Sequence, residues 1–485
     1  KAFTGASELI AACDECTILP CVPCLEAGTV VLSISMTRDG TFGNVPRHAL
    51  QRGNALTGTP VPLTRKERSV RPTISKYLAL GATASAFALL AGACGSGSTA
   101  TNGSGADQVH QMYTWVSTDN DRAQWQSFVD AAKEKDPNFT LTFDGPAFND
   151  YWTKVKTRMV ASDAPCILTT QAARAQELSG LLEPLDSYME AAGIKASDYN
   201  AAMMQGMTVD GKVLALPYDA EPDVLYYNRE MFEKAGLEAP STSYTTEQFL
   251  KDAKALTGDG KYGIAVKPLL LGNAPGDFGI AFGGQVSADG KNTLTDPKFV
   301  EGVQFAFDLV HKEQVAVAPN AADNDGPAQT AFTSGTAAMI VDGPWMYGSF
   351  EKELGDKLGV AVIPTPTGQP RAVIQGSGFG IAKSCPDKQA AFNVLKELVT
   401  PEVIGTVADK QGTVPSVESA MDKWAANKPE DSAEAVRVLL ENGTPLVTTT
   451  TWNQINTSFQ QYSPEGFRGT KTAQDILTDL QNSAG

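Results

Sequence analysis

Residue types that carry catalytic or metal chemistry are sparse in this chain. Only three of its 485 residues are histidine, too few for a histidine-rich metal site. Cysteines at Cys13-x2-Cys16 and Cys21-x2-Cys24 have zinc-ligand spacing, although only four residues separate the two pairs. The signatures Gly-x-Ser-x-Gly, the Walker phosphate loop and His-Glu-x-x-His are missing. The sequence therefore predicts no cofactor, no metal site in the mature protein and no enzymatic activity.

The charge balance argues against a nucleic-acid partner. The chain carries 39 basic and 55 acidic side chains, a net charge of −16, and residues 94–485 hold 30 basic against 49 acidic. A nucleic-acid binder gains much of its affinity by neutralising phosphates with cations, which this balance opposes. The hydrophobic fraction of 42% is sufficient for a folded core, and the length suggests several domains.

The first 107 residues have the pattern of an export signal followed by a tether. Residues 65–76 are basic, residues 77–93 are apolar and uncharged, and Cys94 follows Ala91-Gly92-Ala93. This order predicts a lipoprotein signal peptide at 65–93 with lipidation of Cys94. The alternative is an ordinary secretory signal, because the usual leucine three residues before the cysteine is missing and Leu90 lies four before.

The segments on either side of the signal are expected to contribute no fold. We expect residues 1–64, with their paired cysteines, to be a leader that is not part of the mature protein. Residues 94–107 are rich in glycine, serine and threonine, which predicts a flexible tether. The mature protein is then expected outside the cytoplasm, lipid-anchored to the outer face of the cell membrane.

From residue 108 onward, short apolar runs alternate with helical patterns. Strands are predicted at 110–115, 141–144, 166–170, 213–217, 224–228, 337–341, 359–363 and 378–382. Apolar residues at helical spacing predict helices around 249–256, 299–310 and 392–399. This alternation predicts an α/β architecture, and the length of this part favours two lobes over one core. The sequence leaves open whether Cys166 and Cys385 form a disulfide.

Three motifs carry a resemblance to a known family. They are Asp210–Pro217 (DGKVLALP) with Leu225–Leu237 (LYYNREMFEKAGL), Phe332–Trp345 (FTSGTAAMIVDGPW), and Gly359–Pro364 with Gly376–Lys383. In order and spacing, residues 90–485 resemble the extracellular solute-binding proteins of sugar ABC importers, of the maltodextrin-binding type. One departure is Pro165-Cys166, where members commonly carry Pro-Asp, which weakens the transfer of ligand contacts at 166–171.

The resemblance implies a two-lobe periplasmic-binding-protein type II fold with the ligand cleft between the lobes. On that pattern, lobe 1 comprises residues 108–218 and 328–372, and lobe 2 comprises residues 223–327 and 373–485. The chain would cross between lobes near 219–223, 326–332 and 370–373. A hinge at such crossings lets rigid lobes close by changing few backbone dihedral angles.

A sugar ligand calls for aromatic planes against its C–H faces and polar groups around its hydroxyls. Trp345 follows Gly343-Pro344, matches the family's Gly-Pro-Trp and is the leading candidate platform; the alternative is a ring packed under the turn. Tyr227 matches the family's Tyr-Asn position, or is a core residue. Trp452 resembles another platform of the family, or begins a capped helix.

Polar candidates in the first half follow the predicted strands. Trp115, Asp119 and Asn120 come after the first strand, where an α/β crevice takes ligand; core packing and helix capping are the alternatives. Asn149 and Asp150 occupy the corresponding loop after the second strand, with capping again the alternative.

Two further candidates lie near the predicted crossings. Asp219 would either reach a ligand hydroxyl or stabilise the hinge. Gly376 would allow close backbone approach to a ligand, or only a tight turn.

The implied function is the substrate-binding component of a carbohydrate ABC importer. Its expected partners are a mono- or oligosaccharide, the permease subunits and, through the lipid, the membrane, with no nucleic acid and a monomeric state. One alternative is a receptor for iron, a polyamine or a peptide. The other is an extracytoplasmic glycosidase, which needs two carboxylates about 5–10 Å apart across a cleft.

Overall fold

The computed structural model describes residues 105–272 and 275–484. The predicted leader, the signal peptide and Cys94 lie outside the described residues, as does most of the predicted tether. The tether prediction is wrong at its end, because residues 105–107 begin a helix whose Val109 is buried in the first core. Of the helices described, none is long and apolar enough to cross a membrane.

The strands are short and mostly buried. They are β1 (Gln111–Tyr113), β2 (Thr142–Asp144), β3 (Ile167–Gln171), β4 (Thr208–Val209), β5 (Lys212–Val213), β6 (Leu216–Pro217), β7 (Glu221–Pro222), β8 (Val224–Asn228), β9 (Tyr262–Ala265), β10 (Ser287–Ala288), β11 (Lys291–Asn292), β12 (Ala337–Asp342), β13 (Leu358–Ala361), β14 (Ala372–Gln375), β15 (Ser377–Ile381) and β16 (Gly443–Pro445).

The α-helices pack one apolar face inward, and side-chain caps begin several of them. They are α1 (Gly105–Val109), α2 (Asp119–Lys135), α3 (Phe148–Arg158), α4 (Ala175–Leu178), α5 (Asp186–Ala192), α6 (Ala201–Gly206), α7 (Arg229–Lys234), α8 (Thr246–Ala255), α9 (Pro275–Ala281), α10 (Pro297–His311), α11 (Gly326–Thr333), α12 (Tyr347–Leu354), α13 (Lys388–Leu398), α14 (Pro401–Gln411), α15 (Glu418–Ala426), α16 (Glu430–Asn442), α17 (Trp452–Phe467) and α18 (Ala473–Ser483).

The first lobe is built on a five-stranded sheet in the order β2-β1-β3-β15-β6. The strands β1, β2 and β3 run parallel, and β15 lies antiparallel between β3 and β6. Helices α1 to α6, α13 and α14 contribute buried side chains to its core, with Trp125 and Phe379 among the largest. Parallel strands need helical crossovers, which places their carboxyl ends together at one edge.

The second lobe is built on a four-stranded sheet in the order β13-β8-β12-β9. The strand β12 runs parallel to β9 and antiparallel to β8, and β8 also pairs antiparallel with β13. Helices α7 to α12 and α16 to α18 enclose a separate core. The molecule therefore has the expected two-lobe α/β fold.

The strand pairing corrects the predicted lobe boundaries. Residues 337–361, predicted in lobe 1, supply β12 and β13 to the second sheet, whereas β15, α13 and α14, predicted in lobe 2, belong to the first lobe. The predicted crossing at 326–332 is the helix α11, whose Phe332 is buried in the second core. A fully buried strand looks the same in either sheet, so its apolar sequence does not reveal its partner.

Three segments join the lobes and lie side by side. The first, 218–223, runs through β7, the second runs through β14, and the third is 412–417. The strand β7 pairs antiparallel with β14, with Gln375 opposite Glu221, and the Ala220 N–H donates to the Val414 carbonyl (2.9 Å). The three segments together form the hinge.

A disulfide fastens the first lobe. Cys166, directly before β3, is bonded to Cys385, shortly after β15, across a sequence separation of 219 residues. Both half-cystines are buried, at 0% and 3% exposure. The bond ties the parallel part of the sheet to the strand that returns from the second lobe.

Loss of this disulfide is expected to destabilise the first lobe. Replacing both cysteines with alanine should lower the free energy of unfolding by about 2–5 kcal/mol, because the unfolded chain regains the freedom of a long closed loop. Denaturant unfolding followed by tryptophan fluorescence measures the change, with reductant-treated wild type as the parallel sample. If reductant or the double variant left the unfolding midpoint unchanged, this structural role would be wrong.

Candidate functional site

The second lobe carries a partly exposed tryptophan on a turn that follows a buried strand. The strand β12 ends at Asp342, and Trp345 lies in the 3-10 helix Pro344–Met346. The Tyr226 hydroxyl donates to the Gly343 carbonyl (3.1 Å), and the Gly343 N–H donates to the Asp342 carboxylate (2.9 Å). The turn is held by both bonds, so the indole has a defined position at the carboxyl end of the strand.

The indole packs against Gly343 and lies near Gly272 and the Gln375 amide. A Cβ atom on Gly343 would lie 2.0 Å from the Trp345 ring, so glycine alone leaves room for the indole there. A Cβ atom on Gly272 would lie 3.8 Å from that ring and 3.5 Å from Gln375 Nε2. Trp345 and Gln375, both partly exposed, therefore border one space beside Gly272. This space combines an apolar face with a hydrogen-bonding group.

A buried ionic network backs the turn. Lys267, whose side chain is fully buried, contacts Asp342 (2.5 Å) and Asp325 (3.0 Å), and the Gln329 amide also donates to Asp342 (3.1 Å). Burial raises the pKa of Asp342, while Lys267 opposes that rise. Since buried charges need partners at fixed positions, this network fixes the end of β12 that carries the tryptophan turn.

On the first lobe, the loops after β1 and β2 meet at the carboxyl ends of the strands. The Phe148 N–H donates to the Ser117 hydroxyl (2.8 Å), and the Val116 N–H donates to the Pro146 carbonyl (2.8 Å). Phe148 is partly exposed at this edge and packs edge-on against Trp115. This is the position at which open α/β sheets bind ligands.

The polar residues predicted at this edge are exposed at the starts of two helices. Asp119 and Asn120 lie in the first turn of α2, where the cap is Thr118 and not Asp119. Asn149 and Asp150 lie in the first turn of α3 and do not cap it, and Asp150 pairs with a lysine one turn on (2.8 Å). The bonded loops bring these four residues to the same edge of the first lobe.

Three predicted aromatic contacts are core residues. Tyr227 is 1% exposed and its ring packs beneath the Arg229 guanidinium, which lies 5.3 Å from the ring centroid. Four aromatic rings surround Trp115 at centroid distances of 5.3–5.7 Å. Trp452 is 3% exposed in the second core. A ring enclosed in this way has no open face for a ligand, so these three predictions are wrong.

Asp219 and Gly376 belong to the hinge. Asp219 is buried, and its Oδ1 accepts a hydrogen bond from the Ser377 N–H (2.5 Å). Gly376 has a φ of +142°, and a Cβ atom there would lie 2.7 Å from the same Asp219 oxygen. For Asp219 the structure gives the hinge alternative, and the close backbone approach at Gly376 is to Asp219.

A direct contact joins the lobes beside the hinge. Arg174, just beyond β3, donates to Asn453 Oδ1 of α17 (3.2 Å), and the Thr448 hydroxyl donates to the Ala173 carbonyl (2.6 Å). The Arg174 guanidinium also lies 4.7 Å from the centroid of the Trp152 ring. Among residues 105–272 and 275–484, no group of His, Cys, Asp or Glu side chains is arranged to hold a metal ion.

Sequence reasoning missed Gln375, Asp223 and Arg174. A usable signal existed for two of them. Gln375 is the one polar residue that ends the apolar run Ala372-Val373-Ile374, and Asp223 is the last of three acids at alternate positions in an otherwise apolar segment. Arg174 gives no such signal, because its partner Asn453 is 279 residues away.

Comparison with known proteins places the chain among solute receptors. A family model described as bacterial extracellular solute-binding protein matches residues 127–434. The chain is 27% identical over 391 residues to the maltooligosaccharide ABC transporter solute-binding lipoprotein of Streptococcus pneumoniae serotype 4, covering 76% of this chain and 87% of that protein. It is 25% identical over 295 residues to maltodextrin-binding protein MdxE of Bacillus subtilis, covering 58% and 68%.

The fold likeness extends to a solved receptor complex. The ABC substrate-binding protein Lmo0181 from Listeria monocytogenes, in complex with cycloalternan, superposes with a TM-score of 0.69 at 23% identity. The match covers 77% of this chain and 97% of that one. At this identity the likeness shows the shared two-lobe fold.

The buried hinge carboxylate predicts a pH dependence of stability. Burial raises the pKa of Asp219 from 3.8 to about 8, although the Ser377 N–H opposes the rise. Between these values the folded protein holds a proton that the unfolded chain has lost. The contribution of Asp219 to the free energy of unfolding is therefore complete below about pH 4 and is lost as the pH rises through about 8. It falls by at most about 1.4 kcal/mol per pH unit.

The variant D219N should flatten this dependence, because an asparagine oxygen still accepts from Ser377 but does not titrate. Urea unfolding between pH 5 and 9 measures the slope, with D119N at the exposed Asp119 as control. Equal slopes in wild type and D219N would contradict the assignment.

Proposed function

Since the chain belongs to the bacterial extracellular solute-binding protein family, we propose that it is the substrate-binding component of a carbohydrate ABC importer. In this role it captures a mono- or oligosaccharide outside the membrane and delivers it to permease subunits. The observation that supports a sugar is the partly exposed indole of Trp345, held on a fixed turn beside the Gln375 amide. The maltooligosaccharide and maltodextrin named for its relatives favour an oligosaccharide.

The chemistry of the site suits this ligand. A pyranose ring presents a face of C–H groups that packs on an indole, and its hydroxyls require donors and acceptors at the rim. We place on the other side of the cleft the first-lobe edge, which carries Phe148 and the exposed polar residues Asp119, Asn120, Asn149 and Asp150. Closure of the lobes would bring that edge onto a sugar already stacked on Trp345.

We favour a receptor over a glycosidase because the buried carboxylates near the cleft already have structural partners. Asp219 and Glu221 accept backbone N–H bonds, and Asp223 accepts from the Gln375 amide. The buried disulfide is typical of exported proteins, which supports an extracytoplasmic location. We propose attachment to the membrane through lipid on Cys94, and function as a monomer.

Calorimetric titration with recovery of the ligand tests this function. The protein is titrated with glucose, maltose, maltotriose and mannobiose, and the sugar is analysed by chromatography afterwards. One-to-one binding with intact sugar is the expected result. Cleaved sugar would identify an enzyme, and the absence of binding to any sugar would overturn the carbohydrate assignment.

Removal of the indole should weaken binding without unfolding the protein. We expect W345A to lower the affinity for the tightest-binding sugar of that panel by about tenfold or more, because an aromatic face is lost from a partly exposed position. Y462A removes an aromatic ring that is 40% exposed on α17 and serves as the matched control. If W345A bound within twofold of wild type, the platform assignment would be wrong.

A further inference from the structure

Gln375 lies where the hinge and the tryptophan site meet. It is the last residue of β14, opposite Glu221 in the register of the crossing strands. Its side chain is partly exposed beside Trp345. We propose that Gln375 determines sugar specificity, with its amide oxygen accepting a hydrogen bond from one hydroxyl of the sugar stacked on Trp345. This inference rests on the proposed function.

The orientation of the amide follows from its partner. Gln375 Nε2 lies 2.7 Å and 2.8 Å from the two carboxylate oxygens of Asp223. The amide nitrogen therefore faces Asp223 as a donor, and the amide oxygen is directed away from it. A bond to both oxygens removes the freedom of the amide to turn over. The side chain therefore offers an acceptor of fixed direction.

The partner itself is held in place. Asp223 is 2% exposed and Asp277 is 3% exposed, and their carboxyl groups are hydrogen-bonded to each other. The Gly272 N–H in turn donates to Asp277 (3.3 Å). Burial, and after it the nearby Asp277, raises the pKa of Asp223, and a hydrogen bond between two carboxyl groups needs a proton on one of them. Asp223 then still accepts from Gln375, and the chain of bonds ends on the backbone beside Trp345.

The amide and the indole border the same space. Gln375 Nε2 and the Trp345 ring lie 3.5 Å and 3.8 Å from the point where a Gly272 side chain would begin. Gly272 has a φ of +79°, a conformation that favours glycine, so residue 272 places no side chain in this space. A sugar ring on the indole thus places its edge next to the Gln375 amide. One hydroxyl at that edge meets an acceptor whose direction is set in advance.

An acceptor of fixed direction distinguishes a sugar that carries a hydroxyl at the matching position from a sugar that lacks it. A site built to bond a hydroxyl rejects a ligand that lacks it, because the protein group loses its water without gaining a bond. Hence the effect of Gln375 should be seen in the choice between closely similar sugars rather than in binding alone.

The test combines variants with deoxy sugars. Affinities are measured by calorimetry for the tightest-binding sugar among glucose, maltose, maltotriose and mannobiose, and for each of its monodeoxy derivatives. Wild type is expected to bind one derivative about tenfold or more weakly than the parent sugar. Q375L is expected to bind the parent and that derivative equally. Q369L, at an exposed glutamine on the preceding loop, should keep the wild-type discrimination.

Q375L leaves Asp223 without its amide partner. A second variant is therefore used in case Q375L does not fold. D223N keeps a hydrogen-bonding partner of the same shape but lets the Gln375 amide turn over, and should reduce the discrimination. Unchanged discrimination in the folded Q375L or D223N variant would overturn the inference while leaving the proposed function intact. Failure of the wild type to bind any sugar of the panel would instead refute the proposed function.

Discussion

Three buried acids in one crossing segment hold the hinge together. Asp219, Glu221 and Asp223 are each at most 5% exposed, and each accepts a hydrogen bond from a different place. Asp219 binds the N–H that begins β15, Glu221 binds the N–H of Val414 in the third segment (3.2 Å), and Asp223 binds the Gln375 side chain on β14. A buried carboxyl group without such a partner is costly, so these bonds force the three crossings to lie side by side.

The rest of the site depends on this arrangement. The two lobes are joined by this strip of backbone and by the direct contact of Arg174 with Asn453 beside it, and each lobe has its own core and its own sheet. On the second lobe, the ionic network around Lys267 fixes the turn that carries Trp345. On the first lobe, the disulfide fastens the returning strand to the parallel sheet. We therefore expect motion to be concentrated at the crossings, with the site residues keeping their positions within each lobe.

Much of the fold could be predicted from the sequence, and the site only in part. The apolar run 224–228 predicts a buried strand, and β8 covers the same residues. The assignment of 337–361 to the wrong lobe shows the limit, because pairing with β8 links residues more than a hundred positions apart. Trp345 was chosen because it follows a Gly-Pro turn that ends an apolar run and matches the Gly-Pro-Trp of the family it resembles, and its contact with a ligand stays a prediction.

Tyr227 and Trp452 were misread because the sequence does not show whether an aromatic residue fills a core or faces a ligand. The pairing of Gln375 with Asp223 was missed since it joins residues 152 positions apart.

We expect the two lobes to close about the hinge when a sugar binds. Small-angle X-ray scattering with and without the tightest-binding sugar of the panel tests it most directly. A smaller radius of gyration at saturating sugar is the predicted result, and an unchanged radius with the sugar bound would contradict it.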